Sequence, residues 1–310
     1  MSNLKIINRS VQFVTMALLL CSLVFLLVEH RVSPDSFAEA WWMRMFPFTV
    51  AINILFVLLA VISLLISTKW GNTRAMRIAR YVLLAASVAY LGFVRGGCPC
   101  VISYFQNAVL FLLGKKFMVS FFVPFVILLV LSCIYGKVWC GWLCPLGGLQ
   151  DLIYLGRWPK LRDSKLFKLF RTRTAQRVMQ GVQIVAFVVL LIVLIVKQMP
   201  LYCRIDPFKP LFRLAVSGGL MWTLVIVLLV SSLLIYRPFC KAFCPAGLLL
   251  NIVSMIPGSH RVRIDASGCK HCKRCEKKCP MLAIHDDKVD NTCIHCGECL
   301  STKCKYISAH

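Results

Sequence analysis

Apolar residues along this chain fall into blocks separated by short polar and basic connections. Six spans are predicted, at approximately 10–28, 46–66, 80–95, 117–136, 178–197 and 219–236. Each approaches the ~17–25 apolar residues that cross a hydrocarbon core, and the third is the shortest. Between the third and fourth lies an apolar stretch at 101–114 (VISYFQNAVLFLLG). It is too short to span, so a re-entrant or surface helix is expected there. Near Ser259 the blocks stop and a polar, cysteine-rich tail begins. The predicted fold is an all-α transmembrane bundle of about six helices followed by a small C-terminal α+β domain.

Composition agrees with the blocks. The 310 residues are 59% hydrophobic and 15% charged, against about 45–50% and about 25% in a soluble domain. The net charge of +24 does not point to nucleic acid, because the basic residues sit between spans, where they set orientation. The 67–80 loop carries Lys69, Arg74, Arg77 and Arg80, and the 137–177 loop carries nine Lys/Arg. In the 29–45 loop Arg31 and Arg44 are outweighed by Glu29, Asp35 and Glu39. Positive-inside bias therefore predicts a multi-pass protein of a bacterial or archaeal cytoplasmic (inner) membrane with both termini cytoplasmic. The basic 197–217 loop weakens this signal without reversing it. No cleavable signal peptide is expected, since the first span lacks an A-x-A-like end. The basic run at 157–177 has two readings: a dock for an acidic carrier such as flavodoxin or ferredoxin, or a topology-setting loop on the lipid surface. The second is favoured.

An internal repeat is visible. KVWCGWLCPLGGLQDL (137–152) aligns with RPFCKAFCPAGLLLNI (237–252) one hundred positions later. Upstream, CPCVISYF (98–105) matches LYCRIDPF (201–208) loosely, pairing Cys100 with Cys203. Duplicated membrane units commonly pack about a pseudo-two-fold axis with a shared site between them. Four regions follow: an N-terminal hairpin of spans (1–79), a first repeat (80–158), a second repeat (159–258) and the tail domain (259–310).

Seventeen cysteines carry the chemistry. Cys269-x2-Cys272-x2-Cys275-x3-Cys279-Pro280 is the bacterial ferredoxin run, and Cys293-x2-Cys296-x2-Cys299-x4-Cys304 is a second set. In two-cluster ferredoxins three close thiolates wrap one cube and the fourth cysteine of each run serves the other. Cys269, Cys272, Cys275 and Cys304 are therefore assigned to one 4Fe–4S cluster, and Cys293, Cys296, Cys299 and Cys279 to the other. Paired zinc sites fit less well, because they space two C-x2-C units across a longer gap. The second run has four residues before its last cysteine and no following proline, so Cys304 departs from the usual pattern. His271 and His295 each precede the second cysteine of a run; they either tune a cluster or are plain surface residues, the latter being favoured.

Cys140-x3-Cys144-Pro145 and Cys240-x3-Cys244-Pro245 follow spans on the predicted cytoplasmic side. If helical, each pair presents two thiols on one face. Together they make a four-cysteine ligand set, for a further cluster or iron at the repeat interface. Cys98, Cys100 and Cys203 are predicted at the outer ends of spans, where they form a disulfide or ligate an outer-face metal. Cys21 and Cys133 stand alone in spans and are read as small hydrophobes.

Other chemistries find no residues. None of the six histidines (His30, His260, His271, His285, His295, His310) lies in a predicted span, and no C-x-x-C-H occurs, so haem is not expected. No predicted span contains Asp or Glu, the usual proton-relay groups. No Gly-rich nucleotide fingerprint appears.

Twin C-x3-C-P motifs after spans, followed by a double ferredoxin run, resemble the polyferredoxin-type membrane iron–sulphur proteins. These include the quinol dehydrogenase membrane subunit of periplasmic nitrate reductase and the membrane core of the nitrous-oxide-respiration flavoprotein. The resemblance covers the chain from about residue 80 onward. The nitrate-linked member has four spans where six are predicted here, and no flavin domain is expected ahead of these spans. The resemblance implies electron exchange between a quinone pool or cytoplasmic donor and an outer-face partner, with other membrane or periplasmic redox subunits as neighbours. Two alternatives stand beside a passive carrier. One is a quinol dehydrogenase with its own quinone site, for which Asp206 is a candidate. The other is a redox-sensing or metal-centre assembly protein.

Overall fold

A computed structural model describes residues 74–96, 100–114, 119–157, 164–199, 202, 206, 208–213, 219–255, 262–265, 268–269, 271–302, 304 and 306–309. The first two predicted spans, with Cys21, Cys98 and Cys203, lie outside the described residues.

Among the described residues the apolar part is two copies of one five-helix sequence. In the first copy α1 (Arg74–Ser87) continues without a break into π-helical turns at Val88–Val94. It is followed by α2 (Val101–Leu112), α3 (Val119–Tyr135), and the short helices α4 (Val138–Trp142) and α5 (Pro145–Ile153). After the small helix α6 (Lys165–Phe170) the second copy runs through α7 (Arg173–Lys197), α8 (Phe208–Arg213), α9 (Gly219–Leu234), α10 (Pro238–Ala242) and α11 (Pro245–Val253). Thr172 caps α7, its side chain accepting from the Ala175 N–H at 3.3 Å. Gly136, at φ +70°, provides the left-handed turn that ends α3 and starts the first cysteine motif.

Two described helices are long and apolar enough to cross a membrane, Ala75–Val94 and Arg173–Lys197. The third predicted span, the shortest by sequence, is thus longer than expected, because its helix begins at Arg74. Neither helix is a buried core element. Val178, Val185, Val189, Ile192 and Val196 on α7, and Leu220, Ile226, Val227 and Val230 on α9, are exposed. Exposed apolar faces on helices of membrane-spanning length and composition point to a membrane protein. The stretch at 101–114 forms α2, a 12-residue helix too short to span. The fourth and sixth predicted spans correspond to the shorter apolar helices α3 and α9; a six-span count goes beyond the described residues.

The copies interlock. α5 packs on α1 of its own repeat and on α9 of the other, while α11 packs on α7 and on α3. The tail is a small α+β unit. Strand β1 (Val262–Ile264) pairs antiparallel with β4 (Ile307–Ala309), and β2 (Ile284–His285) with β3 (Lys288–Val289). Helix α12 (Arg274–Lys278) and a 3-10 turn (Cys299–Thr302) complete it. Its buried residues Met281, Ile284 and Ile294 share one apolar core with Tyr135, Trp139, Phe239 and Ala246 of the membrane part.

Candidate functional site

The twin motifs do not form continuous helices. Leu143 turns the chain after α4, and the N–H groups of Leu143 and Cys144 both donate to the Trp139 carbonyl, at 3.0 and 2.9 Å. Helix α5 then restarts at Pro145, a residue suited to a first helical position where no N–H is required. The second motif repeats this, with Phe243 and Cys244 donating to the Phe239 carbonyl at 2.9 Å each. The expectation of i, i+4 thiols on one helical face is therefore corrected: each pair straddles a helix break. The break leaves Cys144 and Cys244 as the caps of α5 and α11. The Gly247 N–H donates to the Cys244 sulphur at 3.3 Å.

Cys140, Cys144, Cys240 and Cys244 line one cavity, and Cys100 lines it too. Cys100 had been expected at the opposite end of the spans from Cys140. It reaches the chamber because α2 packs against α3, which brings the start of α2 beside the end of α3. Cys100 caps α2, so three helix N-termini (α2, α5 and α11) meet at the thiols. Each carries partial positive charge and N–H groups, which offset part of the cost of burying a thiolate there. Lys137 and Arg237 complete the lining. Four or five buried thiolates are untenable without a cation. Sulphur donors, N–H···S contact and flanking positive charge are the donor chemistry of an iron–thiolate centre.

Two cross-repeat clasps hold the chamber, and the sequence reading missed both. Arg237 donates to the Cys140 carbonyl and, through Nη2, to Asp151 Oδ2 at 2.7 Å. Asp151 also accepts from Arg80 and from the Tyr236 hydroxyl at 2.8 Å. One hundred positions away the partners exchange repeats: Lys137 Nζ donates to Asn251 Oδ1. The signal was present in the alignment, which pairs Lys137 with Arg237 and Asp151 with Asn251. Burial pulls the Lys137 ammonium below its ordinary range, while the thiol positions Cys140, Cys293, Cys240 and Cys244 oppose that shift. The long helices brace the motif backbones similarly. Arg80 Nε donates to the Gly141 carbonyl at 3.1 Å, and Gln183 Nε2 to the carbonyls of Cys240 and Cys244 at 3.1 and 2.8 Å.

In the tail domain Cys279, Cys293, Cys296 and Cys299 line one cavity. Burial pushes the Cys296 thiol up to about 12, and raises Cys279 and Cys299 in the same direction. Among the other four, Cys269 feels Cys304, and Cys275 feels Cys269 and Cys272. Cys272 is exposed. The two groups thus differ in burial: three of the four cysteines around the cavity are buried, and of the other four only Cys275 is. His271 is exposed, as expected, and paired with Asp287. His295 is not a surface residue: it is buried, because Trp142 Nε1 donates to its carbonyl at 2.9 Å as the domain seats on α4.

The seat uses both repeats. A Cβ on Gly141 would lie 2.1 Å from the Ile294 carbonyl oxygen, so only glycine admits this approach. From the other repeat Gln176 Nε2 donates to the Met281 carbonyl at 3.2 Å, and Arg171 to the carbonyls of Lys277 and Cys279 at 3.3 and 3.4 Å. Arg171 and Arg173 belong to the basic 157–177 run, whose described C-terminal end latches the chain's own tail domain. Met281 and Ile294, which flank the deep group, also line the inter-repeat chamber. Asp206, the quinone-site candidate, is buried and caps α8, accepting from the Phe208 N–H at 3.0 Å. Cys133 stays outside both groups of thiols.

These features define a class: iron–sulphur electron-transport and redox proteins whose cysteines are held between duplicated apolar helical units. The family described as a 4Fe-4S binding domain matches residues 117–162 and 217–263, one copy over each repeat. An uncharacterized protein of Methanocaldococcus jannaschii is 30% identical over 236 residues, covering 74% of this chain and 93% of its own length. The regulatory protein NosR of Pseudomonas aeruginosa is 27% identical, covering 85% of this chain and 38% of itself. The ferredoxin-type protein NapH of Haemophilus influenzae is 25% identical, covering 56% and 62%. No solved structure matches. The chain belongs to the polyferredoxin-type iron–sulphur family.

Proposed function

We propose that this chain is a membrane electron-transfer subunit that carries electrons between the cytoplasmic side or quinone pool and a partner at the outer face. Three iron centres form its relay. The first, held by Cys269, Cys272, Cys275 and Cys304, receives or delivers electrons at the surface. The second is held by Cys279, Cys293, Cys296 and Cys299. The third is iron or a further cluster between the repeats, held by Cys140, Cys144, Cys240 and Cys244. When bound, these centres supply one-electron chemistry, and the protein's part is to space and shield them. The observation that carries the reading is the shared wall: Ile294 lies between Cys293 and Cys296 in sequence and lines the inter-repeat chamber. Cys272 is exposed at the surface, where a partner reaches it, while Cys275 and Cys296 are buried. Similarity to a ferredoxin-type protein and to a protein named for regulation leaves other redox subunits as the expected neighbours.

The test is iron and acid-labile sulphide content with low-temperature EPR on anaerobically purified protein. About eight iron per chain corresponds to the two tail clusters, and more than eight to an additional inter-repeat centre. Cys140→Ser with Cys240→Ser should remove only the excess. Iron-free protein, or zinc in its place, overturns the reading.

A further inference from the structure

We infer that Cys100 is a ligand of the inter-repeat iron centre, which therefore takes five protein sulphurs rather than the four of the twin motifs. This rests on the proposal that the twin motifs bind iron. Three observations carry it. The Cys100 side chain lines the same chamber as the four motif cysteines. It occupies the same local position as Cys144 and Cys244, capping a helix whose N-terminus points at the chamber. Its backbone is anchored there, because the Cys100 carbonyl accepts the Tyr104 N–H at 3.1 Å and Val101, Ile102, Tyr104 and Phe105 behind it are buried.

The chemistry agrees with the placement. A fifth buried thiolate would be an electrostatic burden without a cation, and a helix N-terminus is wasted on a neutral S–H. Both are resolved if the sulphur is ionised and bound to metal. One tetrahedral iron takes four sulphurs, so a centre that uses all five holds more than one iron atom. Cys133 provides the contrast. It sits within α3 and, among the described residues, lines neither the inter-repeat chamber nor the tail-domain cavity.

Cys100→Ser and Cys133→Ser are compared with wild type and with Cys140→Ser in the full-length protein, purified anaerobically. The readouts are iron per chain, EPR of the tail clusters and Mössbauer spectra. Cys100→Ser is expected to lose iron, or to change the Mössbauer signature of the inter-repeat centre, while tail-cluster signals persist. Cys133→Ser should leave every reading unchanged. Wild-type iron and spectra in Cys100→Ser, alongside loss in Cys140→Ser, overturn this inference alone; no change in either variant overturns the inter-repeat centre itself. Should Cys100→Ser fail to accumulate, native wild-type protein is treated with an iron chelator and alkylated. Cys100 is expected to become reactive in step with Cys140. Reactivity of Cys100 before any iron leaves overturns the assignment.

Discussion

The two repeats carry the same five helices but close on each other with different charges. Arg237 reaches across to a carboxylate, Asp151, which also receives Arg80 and Tyr236. Lys137 reaches across to an amide, Asn251. The twin motifs are kept alike, each with two thiols, a helix break and a proline, while their surroundings diverge. At the first repeat Gly141 and Trp142 admit the tail domain; their counterparts in the second, Lys241 and Ala242, offer neither the space nor the indole donor. The difference teaches that duplication supplied the paired cysteines and divergence supplied the single seat for the tail domain. On one side a carboxylate stands between two guanidinium groups; on the other the Lys137 ammonium meets a neutral amide.

The clasps give the largest expected effect. Asp151→Ala removes the carboxylate between two buried guanidinium groups and should destabilise the fold by about 3–5 kcal/mol. Asn251→Ala, the same cut in the other repeat, removes one neutral acceptor and should cost about 1–3 kcal/mol. Thermal unfolding of the two variants in one detergent checks the ranking. Equal losses would mean that the clasps are energetically alike and that the charge difference is incidental.

Gly141→Ala follows. Its new Cβ meets a backbone oxygen rather than a flexible side chain, so the tail domain must shift, at roughly 1–3 kcal/mol. Lys241→Ala, at the equivalent position, creates no such collision. Limited proteolysis between the repeats and the tail should accelerate in the first variant and not in the second.

The contrast also shows what the sequence made legible. The duplication, the C-x3-C-P pairs and the ferredoxin runs were readable, because metal ligation imposes fixed spacing on a conspicuous residue. The grouping of Cys279 with Cys293, Cys296 and Cys299 was expected from spacing, and these four do share a cavity. The clasps were not read, although Lys137, Arg237, Asp151 and Asn251 lay in the quoted alignment. Their meaning depends on which repeat each side chain enters, and periodicity carries no such information. Cys100 was misplaced for a related reason. The half-length helix α2 was legible at 101–114, but hydropathy does not tell which neighbouring helix its first residue ends beside. His295 was read as a surface group because its run is polar; Trp142, 153 positions earlier, is what covers it.

Lys137 sharpens the comparison electrically. It is buried beside Cys140, Cys240, Cys244 and Cys293 with an amide as its partner. Lys137→Met withdraws a positive charge from the centre, which disfavours the more negative reduced form. The midpoint potential should fall by on the order of 50–100 mV, from a Coulomb interaction across a few ångströms of partly polar interior. Lys137→Arg should largely preserve it. An EPR-monitored redox titration reads both, and an unshifted potential in Lys137→Met would show the ammonium to be screened from the centre.

The smallest effect is expected at Arg173. It pairs with Asp286 of the tail domain at 2.9 Å, and both side chains are largely exposed, at 53% and 80%. Solvent and salt screen such a pair, and holding two long side chains in place opposes what remains. Arg173→Ala should therefore leave the unfolding temperature unchanged within error, at low and at high ionic strength. Arg171, two residues earlier, instead donates to the backbone carbonyls of Lys277 and Cys279 at the edge of the deep thiol group. Arg171→Ala should loosen the seat of the tail domain and speed its proteolytic release. If Arg173→Ala releases the domain as readily, the second repeat holds its partner by surface charge, and the division between a backbone-seated and a charge-steered contact fails.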